Sequence, residues 1–294
     1  MLVDLVKTTT SDGMRLDAAL HSPVKTPRAD FRVDAVVCLH GVGGNFYGGS
    51  LFENITPPLL ELGIAALWIN TRGHDGLHSA VVAGQPCRQG AAYENVDQCR
   101  IDIAAWLELL VQRGYQRIGL LGHSLGAVKA LYAQAYQPHS TVRAVVAISP
   151  PRLSYECFRN GERSDVFFET ISTAERHVRE GRGDTLVDAS FPFPIVITAS
   201  GYVEKYGRQE RYNILRFANK LTCPILFTYG QLELEKGGVA FAGVPTALAA
   251  LSPAGNPFEI VTIPGADHAY TGTYGDLSAE IVQWLKVPRN VKIM

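Results

Sequence analysis

Gly122-His123-Ser124-Leu125-Gly126 sets a serine between two glycines, directly after the apolar run 118–121 and directly before a helical pattern over 125–136. A serine hydroxyl is a poor nucleophile at neutral pH. It needs a base beside it and a carboxylate to orient that base. A strand–turn–helix setting suits such a serine, because the sharp turn holds its hydroxyl out in strained backbone. The helix that starts there aims backbone N–H groups at developing negative charge. Glycine at 122 and 126 has a steric purpose in this reading, since side chains there would clash with the crowded neighbouring strands. A glycine-softened loop carrying an incidental serine is the competing explanation, so the partners decide.

A serine in this setting is followed along the chain by its acid and then its histidine. His268 follows the apolar strand pattern 258–263 and precedes the last helical pattern, so it is the expected base. Of the other histidines, His21 and His139 read as surface residues, His177 lies within the expected cap, and His74 and His78, which follow an earlier strand, read as pocket residues. The acid is expected after the strand pattern 225–229, where Glu233 stands three residues past Gly230. Glu235 is the alternative, because residues two apart share a side if the loop is extended. Both would otherwise be members of a solvated acidic loop beside Lys236.

An oxyanion site completes the chemistry. His40-Gly41-Val42-Gly43-Gly44 follows the run 35–39, and glycines let backbone approach a substrate oxygen. The expected donors are the N–H groups of Val42 and Leu125, with Gly43 as the alternative to Val42. Gly41, Gly43 and His123 are the expected substrate-binding residues around them. A phosphate-binding loop does not fit, because G-V-G-G-N-F lacks the third glycine of the dinucleotide pattern and no GK[ST] follows. No metal-binding spacing such as H-E-x-x-H occurs, and the chemistry asks for no cofactor and no metal.

These residues need a scaffold that brings strand ends together. Short continuous apolar runs recur at 35–39, 64–69, 118–121, 142–148, 225–229 and 258–263, as expected for strands covered on both faces. Helical patterns at 96–113, 125–136 and 276–286 lie between or after them, with Gly114 as a C-cap. Two strands, 2–7 and 14–21, open the chain around a turn at Ser11-Asp12-Gly13. This alternation predicts an α/β fold with a mostly parallel, doubly wound sheet, and ligands in such folds sit at the carboxyl ends of the strands.

The alternation breaks over 151–218, which is helical and rich in aromatic residues: Phe158, Phe167, Phe168, Phe191, Phe193, Tyr202, Tyr206 and Tyr212. This stretch is expected to be a helical cap insertion between a first core part, 1–150, and a second, 219–294. Its aromatics would either line a partly apolar substrate site or pack the insertion against itself.

Composition limits the remaining classes. A net charge of -1 with 19% charged residues gives no basic surplus for nucleic acid or an acidic membrane. No apolar stretch approaches a membrane span. The opening MLVDLVKTTTSDG carries Asp4 and Lys7 within its apolar stretch and does not read as a signal peptide. The five scattered cysteines, with Cys38 and Cys223 reading as core residues, suggest a reducing compartment, the cytoplasm.

Four elements in order, His40-Gly41, the serine pentapeptide, the acid near 233 and His268, resemble the α/β-hydrolase family over nearly the whole chain. The opening 10–16 is similar to that family's first hairpin, and Asn70-Thr71-Arg72-Gly73-His74-Asp75 to its RGxG turn. The segment 218–230 resembles its return from cap to core. Most members carry aspartate where this chain has Glu233. The serine sets the chain apart from epoxide hydrolases and haloalkane dehalogenases, which attack with aspartate. The resemblance implies a serine hydrolase acting on a small to medium, partly apolar carboxylic ester. A thioester, lactone, amide or hydrolytically cleaved C–C bond, or acyl transfer, would use the same machinery, and a non-catalytic binding protein is the remaining class. The expected partner is therefore a small-molecule acyl compound, with no nucleic acid and no membrane; oligomeric state is not readable.

Overall fold

A computed structural model of the chain describes residues 2–25, 30–48, 51–256 and 258–286. The hairpin β1 (Leu2–Thr9) and β2 (Arg15–Ser22) leads into β3 (Ala35–Leu39), α1 (Leu51–Glu61) and β4 (Ala65–Ile69). A short hairpin, β5 (His78–Val82) and β6 (Gln85–Gln89), precedes α2 (Cys99–Gln112), β7 (Ile118–His123), α3 (Leu125–Tyr136) and β8 (Val142–Ile148). Then come α4 (Tyr155–Asn160), α5 (Ser164–Arg179), the hairpin β9 (Leu186–Ala189) and β10 (Ile195–Thr198), and α6 (Ala199–Tyr206). The chain ends with β11 (Ile225–Gly230), α7 (Gln231–Lys236), α8 (Val244–Leu251), β12 (Glu259–Ile263) and α9 (Tyr274–Leu285).

Eight strands form one sheet in the order β1-β2-β4-β3-β7-β8-β11-β12. β2 runs antiparallel to both β1 and β4, and the other pairings are parallel. The continuous apolar runs are explained by two cores. In β3, Ala35, Val37 and Leu39 face the core shared with α2 and α3, while Val36 and Cys38 face the core shared with α1 and α9. β4 splits the same way, with Leu67 on one side and Trp68 on the other. A strand buried on both faces needs apolar residues at every position, so period-two alternation is absent.

A buried ion cluster fastens the open end of the sheet. Arg72, 2% exposed, grips Asp102 of α2 through Nη2 at 2.7 Å and Asp12 of the β1–β2 turn through Nη1 at 2.9 Å. Its own backbone N–H also donates to Asp102 at 2.8 Å. The Asn70–Asp75 turn is thereby tied to two distant elements, and burial of the guanidinium is offset by charge-assisted bonds on both sides.

The segment between β8 and β11 adds no strand to the eight-stranded sheet. Phe158, Phe167, Phe191, Tyr202, Tyr206 and Tyr212 are buried within the core cluster. Phe158, Phe167 and Phe191 pack mutually, with ring centroids 5.1–5.6 Å apart. Self-packing therefore accounts for most of the aromatic content of 151–218. All five cysteines are free, and Cys38, Cys99 and Cys223 are buried. Among the described residues no helix is long and apolar enough to cross a membrane.

Candidate active site

Ser124 sits at the junction of β7 and α3 with φ 56 and ψ -124, a left-handed conformation that side chains other than glycine rarely adopt. The crowding that imposes it is measurable. A Cβ on Gly122 would lie 2.3 Å from the carbonyl oxygen of Gly126, and one on Gly126 only 2.2 Å from that of Leu39. The two glycines thus let α3 pass against β3 and β7, and the serine is lifted above the strand ends. α3 begins at Leu125, so its first N–H groups have no acceptor inside the helix.

The loop after β3 lies directly against the serine: a Cβ on Gly41 would be 3.3 Å from Ser124 Cβ. Gly44 N–H donates to Gly41 O at 3.2 Å, and Gly43 has φ +62, so residues 41–44 form a type II turn with Val42 and Gly43 at its tip. Val42 lines the cleft with Gly41 and Ser124. Gly43 is turned towards Asp75 O and Ala91 Cβ, each within 3.8 Å of where its Cβ would be, and is not among the cleft-lining residues.

His268 lies in the loop between β12 and α9. Its Nδ1 is hydrogen-bonded to Glu233 Oε1. The Glu233 side chain is 1% exposed and the His268 ring 43%, so the pair runs from the interior to the cleft. Glu233 is in the first turn of α7, not in a loop. Its Oε2 accepts the Gly230 N–H at 3.2 Å and the Ser149 hydroxyl at 2.6 Å. Glu235, on the same helix, is exposed and accepts from Gln231 Nε2 at 3.1 Å. A helix turns residues two apart to different sides, so the extended-loop route to Glu235 is closed.

Behind Glu233 runs a buried hydroxyl chain that sequence reasoning missed. An ionised carboxylate only accepts, so Ser149 donates to it, Tyr270 donates to Ser149 at 3.0 Å, and Thr228 donates to Tyr270 at 3.1 Å. Thr228 stands inside a fully buried apolar strand and Ser149 at the end of another, and a buried hydroxyl in such a place needs a partner. That was the available signal. Tyr270 also anchors the His268 loop, which is pinned further by Leu232 N–H on Ala266 O at 2.9 Å.

The other two histidines of the cleft are committed to backbone. His123 Nε2 is 2.8 Å from the carbonyl oxygen of His268, and burial, with a second imidazole close by, pushes its pKa down to about 4. His40 Nδ1 is 2.8 Å from Gly41 O, and burial, with the charge of Lys129, pushes its pKa down to about 3. Both are neutral at working pH. His123, expected to bind substrate, does line the cleft, but its one ring proton, on Nε2, goes to the His268 carbonyl and holds the His268 loop. His21 is a correction: it is buried at 4% exposure and packs on Trp68 at 4.2 Å, because its strand is covered on that face by α1. His74 and His78 stack on each other at 3.9 Å and do not line the cleft, so they are not pocket residues of this site.

The cleft has a volume of about 750 Å³. Leu51, Phe52, Phe193 and Tyr274 give it apolar walls, and Asn45, Glu53 and Asn54 a polar side. From 151–218 only Phe193 reaches it, 40% exposed. Among the described residues no group of three or more His, Cys, Asp or Glu side chains is placed to hold a metal ion.

Comparison with known proteins agrees with this architecture. Est1E from Butyrivibrio proteoclasticus, solved with ferulic acid bound, is 19% identical, with 94% of this chain and 96% of that chain covered and a TM-score of 0.67. GrgF, an alpha/beta hydrolase from Penicillium sp. sh18, is 15% identical with 97% of each chain covered and a TM-score of 0.68. A highly thermostable carboxyl esterase from Bacillus coagulans, in complex with glycerol, is 13% identical, with 97% and 98% covered and a TM-score of 0.65. At these identities the likeness is one of fold. No curated protein matches the chain. The model of the alpha/beta hydrolase family matches residues 36–281, and with that span, sheet order and serine turn the chain belongs to the alpha/beta hydrolase family.

Proposed function

We propose that this alpha/beta hydrolase is a serine esterase that cleaves small to medium, partly apolar carboxylic esters through an acyl-enzyme. The observation that carries the reading is the buried Glu233 bonded to His268 Nδ1, beside a cleft that holds both His268 and the strained Ser124. In this mechanism Glu233 keeps the proton of His268 on Nδ1, which leaves Nε2 as a base. Ser124 gives its proton to Nε2 and attacks the carbonyl carbon. The tetrahedral oxyanion is held by the N–H groups of Val42 and Leu125, a donor of this kind contributing about 3 kcal/mol in the transition state. His268 returns the proton to the leaving alcohol, and water, activated by the same nitrogen, releases the acid.

Residues 151–218 act as the cap over the core parts 1–150 and 219–294, with Phe193 as its contribution to the substrate wall. The mixed lining and the size of the cleft suit a partly apolar acyl compound. The esterases among the fold neighbours favour an ester over other acyl bonds. The free cysteines are in keeping with a cytoplasmic location. The test is a series of p-nitrophenyl esters of increasing acyl length, run on wild type and Ser124→Ala. Turnover by wild type and its loss in the variant is the expected result. Equal turnover by both would overturn the reading.

A further inference from the structure

We propose that Thr71 and Lys129 are positioning residues for the oxyanion loop, acting through His40 to hold the Gly41–Val42 peptide with its N–H available to the substrate. The inference rests on the serine-esterase reading for its kinetic consequence, and on geometry alone for the hydrogen-bond relay.

Gly41 O and Val42 N–H belong to one planar peptide group and point to opposite sides of it. Gly41 O accepts two bonds, from His40 Nδ1 at 2.8 Å and from Gly44 N–H at 3.2 Å. A peptide flip, which would turn the carbonyl oxygen towards the substrate oxyanion, has to break both. Donation into the carbonyl also polarises the peptide and strengthens the N–H as a donor.

In the neutral ring, donation from His40 Nδ1 requires that Nε2 carry no proton, and the surroundings of Nε2 enforce this. It accepts from the Thr71 backbone N–H at 3.2 Å and faces Thr71 Oγ1 at 3.2 Å. A threonine hydroxyl has one proton to place. Lys129 Nζ, which can only donate, takes a lone pair of Thr71 Oγ1 at 3.0 Å and so leaves that proton for His40 Nε2. The direction of every bond is then set: Lys129 to Thr71, Thr71 to His40, His40 to Gly41 O. Lys129 is wholly buried on α3, the helix that starts beside Ser124, and is neutralised by Glu94 Oε1 at 2.5 Å. The other oxygen of Glu94 lies 3.6 Å from Nζ of Lys205, on α6 of the segment 151–218. The hydrogen-bonded relay ends at Glu94, and Lys205 of the inserted segment adds an ion pair behind it. The charged and titratable groups acting on His40 are Lys129, Glu94 and His74.

The relay is read on the full-length protein labelled with ¹⁵N-histidine, with the His40 signals assigned by their loss in His40→Gln. Between pH 5 and 9, wild-type His40 should show a single Nδ1–H tautomer that does not titrate. Lys129→Met removes the donor that fixes the Thr71 hydroxyl, leaves Glu94 with Lys205 alone, and should let the Nε2–H tautomer of His40 appear. Thr71→Val should lower kcat on a p-nitrophenyl ester about tenfold, the size of one net hydrogen bond, with KM changed less than about twofold. Thr71→Ser, which restores the hydroxyl, should recover it. An Nε2–H tautomer or a titrating His40 in wild type would overturn the proposal, as would wild-type kcat in Thr71→Val. An inactive wild type would strike instead at the esterase reading, and the tautomer would still decide the relay.

Discussion

Glu233→Gln changes one oxygen to an NH₂ group, and the structure says which way that amide must lie. Gly230 N–H is a fixed backbone donor 3.2 Å from Oε2, and the Ser149 hydroxyl approaches the same oxygen at 2.6 Å. The amide oxygen has to take that position, because an NH₂ there would face the backbone donor. The NH₂ is then aimed at His268 Nδ1, which becomes an acceptor, and the histidine proton moves to Nε2. In that tautomer Nε2 cannot accept the proton of Ser124. Forcing the wrong tautomer on a triad histidine costs about 10⁴-fold in kcat, about 5.5 kcal/mol in the barrier. Glu235→Gln exchanges an exposed acceptor for another and should stay within about twofold of wild type. The assay is steady-state hydrolysis of p-nitrophenyl acetate, with circular dichroism to confirm that both variants fold. A Glu233→Gln enzyme within tenfold of wild type would refute the assignment of the acid, and so would a matching loss in Glu235→Gln.

Other outcomes follow from the same geometry. Gly126→Ala puts a methyl group 2.2 Å from Leu39 O and 2.5 Å from His40 O, so backbone must move; overpacking of this kind costs about 1–3 kcal/mol, a fall of roughly 2–10 °C in Tm by calorimetry. Ser149→Ala removes the closest donor to Glu233 Oε2 and should lower kcat about tenfold with little change in KM. Burial holds His40 and His123 neutral at pKa values of about 3 and 4, so below the ordinary histidine value the unfolded chain binds more protons than the fold. Their contribution to stability is complete above about pH 6.5 and is lost as pH falls towards 4; His123→Asn should flatten the decline of Tm over that window. Glu204 behaves oppositely: burial raises it to about 7, so its cost appears as pH rises from about 4.5 through 7, and Glu204→Gln should raise Tm at pH 8 but not at pH 4.

Much of the scaffold was legible because a strand buried on both faces writes itself as an unbroken apolar run. The run 142–148 and the helix 125–136 coincide with β8 and α3. That Ser124, His268 and Glu233 come to one end of the sheet was legible because each follows one of its strands. Less was legible where tertiary packing overrides local preference. α1 carries Pro57 and Pro58 in its interior, which removes two backbone donors, yet burial of Phe52, Ile55 and Leu59 keeps it helical. The hairpins β5–β6 and β9–β10 are short, partly exposed and irregular in pattern, so neither stands out in sequence. His21 looked like a surface residue because composition does not reveal which strand face a helix will cover. The His40–Thr71–Lys129–Glu94 relay joins positions far apart in sequence, and only the folded sheet and its helices bring them together.

The central claim is that Ser124 is an activated nucleophile. A fluorophosphonate reacts with such a serine and forms a stable adduct without needing the natural substrate. Intact-mass measurement followed by peptide mapping should find one adduct per chain, on Ser124, abolished in Ser124→Ala and strongly slowed in Glu233→Gln. No adduct on Ser124, or an adduct formed equally fast in Glu233→Gln, would contradict the account.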